Sequence, residues 1–425
     1  MSKAIVKKVF TPCLKFAPKS LGYPLFRRMM KLPALPDNLT FGIARTREDL
    51  DAAFSLLYDA YLKENITAPL PSRRRITLFH CLPSTTTLVA KRNKEVIATI
   101  SIIRDGIFGI PAQDIVDLTR FRVPGKRMAE VSSLAMRHDL QGHSSCVMFY
   151  LTKYLIKYSR ECFGVDRFII AVHPKRMPLY EGIFLFVPLH KRQINGYEFA
   201  NNAPAMIATQ NLETAEARFR RVYGAAPLHR NLYEFLFRAF STREKACMEF
   251  PNPRYVSISD PVMTPDLMDY FFNRVAGLFD SLSDRQLRQL SSVYAHPQFI
   301  KVLPRAKGGF CTPGRHPGYD MKCYGLVYPE NTPMPVYMTV LNGSKMEMRV
   351  HADVLLPQKT STHFFIVVGH HRVAAVKGVC LSSRGPLHWI RFSRVDDNWK
   401  GFIRYQERRH NLVPRNPEAP LVAAS

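Results

Sequence analysis

The sequence lacks long apolar segments and paired cysteine motifs. No run of 18 residues is free of both charge and proline, which argues against a membrane-spanning helix. The 8 cysteines are scattered without a C-x-x-C pair, which favours reduced thiols in the cytoplasm and predicts neither a disulfide framework nor a metal site. A composition with 46% hydrophobic and 22% charged residues is typical of soluble globular protein.

Acidic residues are scarce, and this shortage is the strongest signal in the composition. The 425 residues include 60 Lys and Arg against 34 Asp and Glu, a formal net charge of +26. Such a charge attracts acidic partners, namely nucleic acid, anionic lipid or an acidic carrier protein. We find no nucleic-acid-binding motif, so nucleic acid is the least favoured of the three.

Residues 1–39 form a basic segment whose first 36 residues contain no acidic residue. Lysines interrupt every apolar stretch that would be long enough for a secretory signal, so we predict no signal peptide. The interleaved large apolar side chains would suit the surface of an anionic membrane, here the inner membrane surface. A solvated tail, or a segment packed on the first domain, is the equal alternative.

Hydrophobic periodicity predicts a mixed first domain over residues 40–240. Its expected elements are a helix over 47–63, a hairpin of strands 87–92 and 95–104, a strand over 128–136, a helix from 144 to about 164 and a strand over 167–173. The order strand, loop, helix, strand indicates a parallel βαβ unit.

The rest of the chain is predicted to contain a helical linker, a β-rich domain and a disordered tail. Residues 241–306 are predicted to be a helical linker, with helical patterning over 264–304. Short β-type runs dominate residues 307–412 and predict a small barrel or sandwich. Residues 413–425 are predicted to be a disordered tail.

Four separated motifs in the first domain resemble one known family. They are R-I-T-L-F-H-C-L-P-S-T-T-T-L-V-A, I-A-T-I-S-I-I-R-D-G-I-F-G-I-P, M-A-E-V-S-S-L-A-M-R and R-F-I-I-A-V-H-P-K-R-M-P-L-Y. In this order they resemble the FeeM-type N-acyl amino acid synthases of the GNAT superfamily, which are similar to LuxI-type autoinducer synthases. The resemblance implies transfer of an acyl group from acyl carrier protein, or from acyl-CoA, to the amine of an amino acid, with no permanently bound cofactor.

The resemblance also implies catalytic roles. Glu130, aimed into a cleft from a rigid strand, would accept the proton of the attacking amine. Ser132 lies on the same face of that strand by alternation, and Tyr180 would act near the leaving thiolate together with His173. A structural ion pair of Glu130 with Arg127 or Arg104 is the alternative.

A loop and helix start follow the Glu130 strand. In the GNAT fold this region binds the phosphate of coenzyme A or of a carrier's phosphopantetheine, because helix N-termini attract anions. The phosphate-facing residues would be Arg137, Gly142, His143, Ser144 and Ser145. Their spacing departs from the usual Q/R-x-x-G-x-G/A motif, and a simple capped helix start is the alternative.

The carboxy-terminal runs resemble a PilZ domain, a β-barrel that commonly binds cyclic di-GMP. Asn342 and Ser344 fit its D/N-x-S-x-x-G turn, but the glycine of that motif is Glu347 here. Arg305 remains from the R-x-x-x-R arm, whose first arginine is Lys301. These departures favour a degenerate barrel used for regulation or protein contact, because lysine does not reproduce bidentate arginine contacts.

The predicted fold class is therefore α+β, with a GNAT-type acyltransferase domain, a helical linker and a C-terminal PilZ-like β-barrel. The predicted function is N-acyl transfer to an amino acid, regulated through the barrel. A non-catalytic adaptor that responds to cyclic di-GMP or binds protein is the alternative from another class. An acyl-homoserine-lactone-type synthase is the third, and it is disfavoured because those enzymes carry an arginine where this chain has Ser133.

Overall fold

The computed structural model describes residues 18–106, 108–122, 126–140, 144–251, 263–294, 299, 301–304, 319–329, 335–352, 354–369, 372–384 and 387–412. The chain divides into two compact units, one of Met1–Asn252 with Phe271–Leu278 and one of Pro253–Tyr270 with Phe279–Ser425. The predicted disordered tail lies outside the described residues. None of the helices that the structure describes combines the length and apolar character that a bilayer crossing requires.

An eight-stranded sheet forms the centre of the first unit. Its order is β1-β2-β3-β4-β5-β8-β6, with β7 added along β8. All neighbouring strands are antiparallel except β4 and β5, which are parallel. The strands are β1 (Leu39–Ile43), β2 (Thr85–Arg92), β3 (Glu95–Arg104), β4 (Met128–Met136), β5 (Arg167–Val172), β6 (Val187–Pro188), β7 (Ile194–Tyr197) and β8 (Ala203–Asn211).

The predicted hairpin and βαβ unit are both present in this sheet. Asn93 and Lys94 form the two-residue turn between β2 and β3, with φ of 52° and 71°. Positive φ at both turn positions is what a type I′ hairpin requires, and asparagine tolerates it well. The β4 strand covers the residues predicted for it, and a helix connects it to β5.

Eight helices of the described residues belong to the first unit, and several of them begin at a capping side chain. Thr46 accepts a hydrogen bond from the Asp49 N–H at 3.2 Å and begins the second helix as predicted. The helices are α1 (Lys19–Met29), α2 (Arg47–Lys63), α3 (Leu78–Cys81), α4 (Ser144–Lys157), α5 (Met177–Gly182), α6 (Leu212–Tyr223) and α7 (Leu232–Phe237), followed by α8 (Thr242–Cys247), an eighth short helix of this unit.

Helix α1, the described part of the basic segment, packs on the first unit. Lys19 Nζ and the Tyr23 hydroxyl each lie 2.8 Å from the Glu181 carboxylate, and Arg27 Nε donates to the Gly182 carbonyl at 2.8 Å. Helix α1 therefore agrees with the alternative in which the basic segment packs on the first domain. Contact with a membrane stays a prediction.

A buried ion pair joins α4 to α8. Lys153 Nζ lies 2.5 Å from Glu244 Oε1, and the two side chains are 1% and 3% exposed. Phe235 and Phe240 flank the ammonium at 5.2 and 4.9 Å from their ring centroids. Removal of one partner would leave a buried charge without compensation, so this pair fixes α8 on the helix that follows β4.

The second unit contains a closed six-stranded barrel, ordered β10-β11-β14-β13-β12-β9. Its strands are β9 (Tyr319–Tyr328), β10 (Val336–Gly343), β11 (Glu347–His351), β12 (Ser361–Gly369), β13 (Arg372–Arg384) and β14 (Leu387–Val395). Helix α11 (Asp397–Leu412) inserts Trp399, Phe402 and Ile403 into the barrel core.

The helical patterning over 264–304 breaks into short pieces. Helix α9 (Pro265–Met268) begins at Thr264, whose hydroxyl accepts from the Leu267 N–H, and continues as a π-helical turn. Helix α10 (Asp284–Val293) follows separately. Gly277, with φ of 55°, and the Ser283 cap account for the break between them.

Candidate functional site

Strands β4 and β5 separate after a short parallel pairing, and a cavity opens between them. Glu130, which pairs with Ile169, is the last residue of β4 that pairs with β5. Beyond this point a cavity of about 210 Å³ lies between the two strands and α4. Apolar side chains dominate its walls, among them Ile100, Leu134, Met148, Leu155, Ile170 and Phe184.

A β-bulge in β4 faces this cavity. Thr99 pairs with Ala135 and Ser101 with Ser132, so Ser133 and Leu134 together oppose one residue of β3. Ser133 has φ of 55°, and a bulge leaves backbone groups outside the strand ladder. Burial raises the pKa of the Tyr61 phenol, while the Ser133 N–H, directed at that phenol, acts in the opposite direction. The Ser133 N–H therefore lies at the cavity wall, where it is directed at Tyr61.

His80 supports the bulge. Its Nδ1 accepts from the Thr77 N–H at 3.1 Å, so Nε2 carries the proton and donates to Ser133 Oγ at 3.3 Å. Burial, with a contribution from Arg75, lowers the pKa of His80 to about 3, so the ring stays neutral. Sequence reasoning missed His80, although its spacing from Thr77 is that of a helix cap.

Glu130 has a buried carboxyl group that accepts a hydrogen bond from the backbone. It is 1% exposed, and its Oε2 accepts from the Ala112 N–H at 2.7 Å. Burial raises the pKa of Glu130 to about 8; the Ala112 N–H opposes this shift, and Asp114 adds to it. A carboxyl group with this pKa can exchange a proton near neutral pH.

The alternative ion pair of Glu130 with arginine is not what the structure contains. Arg104 donates to the Phe163 carbonyl at 2.8 Å and lies over the Phe163 ring. Arg127 lies 3.6 Å from the Asp166 carboxylate. Among the described residues, neither arginine forms a salt bridge with Glu130.

Tyr180, Ser132 and His173 lie around the same opening. All three line the large cavity, and Ser132 and His173 also line a smaller one. Burial raises the pKa of Tyr180 to about 12, so its hydroxyl holds its proton and can donate it. His173 Nδ1 accepts from the Lys175 N–H at 3.2 Å, and burial lowers the pKa of His173.

The smaller cavity, of about 70 Å³, contains Glu130. Arg75, Tyr197 and Phe199 line it too, and sequence reasoning singled out none of them as functional. The two cavities share the residues Tyr61, Ile66, Ser132, Ala171, Val172 and His173. They therefore meet at a common wall next to Glu130.

Of the predicted phosphate-facing residues that the structure describes, Ser144 and Ser145 begin α4 and Arg137 directly follows β4. Arg137 pairs with Asp139, through Nε at 3.0 Å, and with Glu95, through Nη1 at 2.9 Å. Ser144 begins α4 and its hydroxyl donates to the Leu140 carbonyl at 3.1 Å. Ser145 is the second residue of α4, whereas Gly142 and His143 lie outside the described residues. Phosphate binding here stays a prediction.

Two of the predicted nucleotide-binding residues lie at the turn between β10 and β11. Asn342 is the last residue but one of β10 and is buried, and Ser344 Oγ accepts from the N–H groups of Met346 and Glu347 at 3.1 and 2.9 Å. Arg305 lies outside the described residues.

Glu347, at the position of the motif glycine, has partners of its own. Its carboxylate accepts from Trp389 Nε1 and from Arg391, both at 3.2 Å. This residue therefore contributes to the barrel's own hydrogen bonds, and cyclic di-GMP binding stays a prediction.

Comparison with known proteins connects the first unit to one family. Residues 52–211 match the family model described as N-acyl amino acid synthase FeeM. No curated protein matches the chain. Among solved structures, the chain is 25% identical to FeeM, an N-acyl amino acid synthase from uncultured soil microbes, over 42% of this chain and 93% of that chain, with a TM-score of 0.36.

Two further solved structures match a similar share of the chain. The CoA-dependent acyl-homoserine lactone synthase BjaI is 16% identical over 46% of this chain and 98% of its own, with a TM-score of 0.31. An acyl-CoA N-acyltransferase from Pseudomonas aeruginosa is 14% identical over 40% and 97%, with a TM-score of 0.29. The family match over residues 52–211 supports an acyltransferase in the amino-terminal part of the chain.

Proposed function

We propose that this protein moves a fatty acyl group from a thioester to the α-amine of an amino acid. The observation that carries the proposal is the junction of an apolar cavity of about 210 Å³ with a smaller pocket that holds the buried Glu130. The amine nitrogen forms a bond to the thioester carbonyl carbon, and the carbon–sulfur bond breaks. One proton leaves the amine, and the released thiolate takes up one proton.

The apolar cavity suits the acyl chain of the donor. Each methylene that leaves water for such a cavity contributes about 0.8 kcal/mol. The gap between β4 and β5 gives the acyl chain and its thioester access to the cavity wall that contains the β4 bulge. The Ser133 N–H could there donate to the carbonyl oxygen as negative charge develops on it.

Glu130 and Tyr180 suit the two proton transfers. An amino acid's amine is protonated at neutral pH and becomes a nucleophile after it loses one proton to solvent. Ionised Glu130 would then accept the second proton, which leaves the nitrogen as the carbon–nitrogen bond forms. Tyr180, which stays protonated, would give a proton to the thiolate. Ser132 lies at the junction and could orient the amine by a hydrogen bond.

The donor we favour is acyl carrier protein rather than acyl-CoA. The net charge of +26 attracts an acidic protein, and both donors end in the same pantetheine arm. The helix start at Ser144, with Arg137 and Ser145 nearby, would receive the phosphate of that arm. The acceptor enters the smaller pocket.

The carboxy-terminal barrel is proposed to set the activity or the location of the acyltransferase. Glu347 adds negative charge and a side chain where a nucleotide-binding turn would need glycine. This favours a protein contact over a cyclic di-GMP site. Contact of the basic segment with the inner membrane surface would also determine where the acyltransferase is located.

Expression in a bacterial host tests the proposed function. Organic extracts of cells that make the intact protein should contain amino acids with amide-linked fatty acyl groups, which mass spectrometry identifies. Cells with the empty vector should lack them. If the protein is soluble and folded but yields no such product, either in cells or with purified acyl carrier protein donors, the result would favour the non-catalytic adaptor. Acyl-homoserine lactones in the extracts would indicate the other synthase class.

We expect His80→Ala to lower kcat about tenfold through loss of support for the bulge, because a displaced oxyanion donor stabilises the transition state less. The KM of the acceptor should change little, since His80 does not line the smaller pocket. Steady-state kinetics of product formation measure both. His190→Ala, at an exposed position, is the matched control. An unchanged kcat in His80→Ala would contradict a role of the bulge in the reaction.

A further inference from the structure

Arg75 places a positive charge in the smaller pocket, and none of the described residues pairs with it through a carboxylate. Its guanidinium donates to Thr67 Oγ1 at 3.2 Å and to the Phe199 carbonyl. It lies over the rings of Tyr61 and Phe199, at 5.1 and 5.3 Å from their centroids. These contacts hold the group in place and leave N–H groups unused, since a guanidinium has five.

Tyr197 adds an unsatisfied donor to the same pocket. The residue is 3% exposed, and its hydroxyl has no hydrogen-bond partner among the described residues. Buried hydroxyl groups are normally paired, because an unpaired one loses its hydrogen bond to water. Glu130 and Arg75 line the same pocket as this phenol, and the charges of both act on it. An oxygen atom of a ligand could accept the hydrogen bond that the Tyr197 hydroxyl has to donate.

The charges of the pocket match those of a zwitterion. The single ionisable carboxyl group among its described lining residues is Glu130, which accepts from the Ala112 N–H. Burial lowers the pKa of Arg75, as expected for a cation that has lost water and gained no carboxylate. A ligand with a carboxylate at one end and an ammonium at the other would compensate Arg75 and Glu130 together.

We propose that Arg75 and Tyr197 bind the α-carboxylate of the acceptor amino acid and thereby direct its α-amine to Glu130. This inference rests on the proposed function and specifies its substrate. It predicts that the enzyme selects amino acids over simple amines. The selectivity arises because an amine without a carboxylate leaves the guanidinium and the phenol unpaired.

The test compares an amino acid with the amine that remains when its carboxylate is removed. The twenty protein amino acids are screened with the full-length protein and dodecanoyl-CoA or dodecanoyl acyl carrier protein as donor, and the best acceptor is paired with its decarboxylated amine. Arg75→Gln should raise the KM of the amino acid about 100-fold, and Tyr197→Phe about tenfold, because charge-assisted hydrogen bonds are lost. The KM of the amine should change less than about threefold.

Tyr197→Phe keeps the test decisive even if Arg75→Gln does not fold, since the lost hydroxyl has no partner within the described protein. Arg75→Lys, which retains the charge, should restore part of the selectivity. Arg73→Gln removes a charge from an exposed neighbour and is the matched control. Equal KM values for the amino acid in the native protein, Arg75→Gln and Tyr197→Phe would overturn the inference and leave the proposed function intact. A native protein that acylates no amino acid would instead overturn the proposed function.

Discussion

Glu130→Gln is expected to lower the rate of N-acyl amino acid formation about a thousandfold, the typical contribution of a general base. Glutamine retains an oxygen that can accept from the Ala112 N–H, but it cannot take a proton from the amine. In the native protein the rate should rise with pH toward about 8, where Glu130 becomes ionised. This dependence on the Glu130 pKa should be absent from the residual rate of the variant.

The same substitution has a predicted effect on stability. The folded-state pKa of Glu130, about 8, lies above the ordinary value of 4.5, so folded Glu130 holds a proton that the unfolded chain has released between these pH values. The group therefore makes the native protein less stable as pH rises through this window. Relative to the native protein, Glu130→Gln should gain stability between pH 5 and pH 8, which thermal unfolding at the two pH values measures.

Glu198→Gln, at an exposed position, is the control for loss of a carboxylate in the same unit. It should leave both the rate and the pH dependence of unfolding nearly unchanged. Full activity of Glu130→Gln would refute the role of Glu130 as base. A variant that loses activity because it does not fold would indicate a structural role.

Thr152→Phe is expected to shift the enzyme from long to short acyl donors. Thr152 is a half-buried residue in the wall of the large cavity, so a larger side chain occupies volume that the acyl chain would use. Exclusion of three methylenes costs about 2.4 kcal/mol, which lowers kcat/KM for long donors about 50-fold. Short donors should react nearly as before. Kinetics with a series of acyl-CoA or acyl carrier protein donors measure the change.

Thr152→Val has nearly the volume of threonine and is the matched control for this experiment. It should retain the native chain-length profile. An unchanged profile in Thr152→Phe, with a protein that unfolds at the native temperature, would show that the acyl chain lies elsewhere. A uniform loss with all donors would indicate damage to the fold rather than a shorter cavity.

Local sequence patterns were sufficient to predict much of the first unit. Asn93 and Lys94 mark the hairpin turn because few residues tolerate positive φ, and the apolar run of β4 is long enough to define a strand. Glu130 was assigned a catalytic role through the resemblance of the M-A-E-V-S-S-L-A-M-R motif to the N-acyl amino acid synthases. Strand β9 was missed, since the glycine- and proline-rich stretch around it carries turn signals.

The features that sequence reasoning missed depend on contacts between distant segments. Arg75 and Tyr197 are 122 positions apart, and nothing local distinguishes either from a surface arginine or a core tyrosine. The β4 bulge follows from the register against β3, which periodicity does not contain. His80 acts through Ser133, 53 positions away. Only the assembled sheet brings these groups to one opening.

The common wall of the two cavities has a consequence for the order of events in catalysis. Because Tyr61, Ser132 and Ala171 border both spaces, the donor and the acceptor can be bound at the same time, on either side of one junction. If the proposed function holds, we expect the acyl group to pass directly from donor to acceptor within a ternary complex, without an acylated side chain. Initial rates should then follow a sequential law, and the concentration of each substrate should change the slope of the double-reciprocal plot for the other, whereas a ping-pong law would give parallel lines.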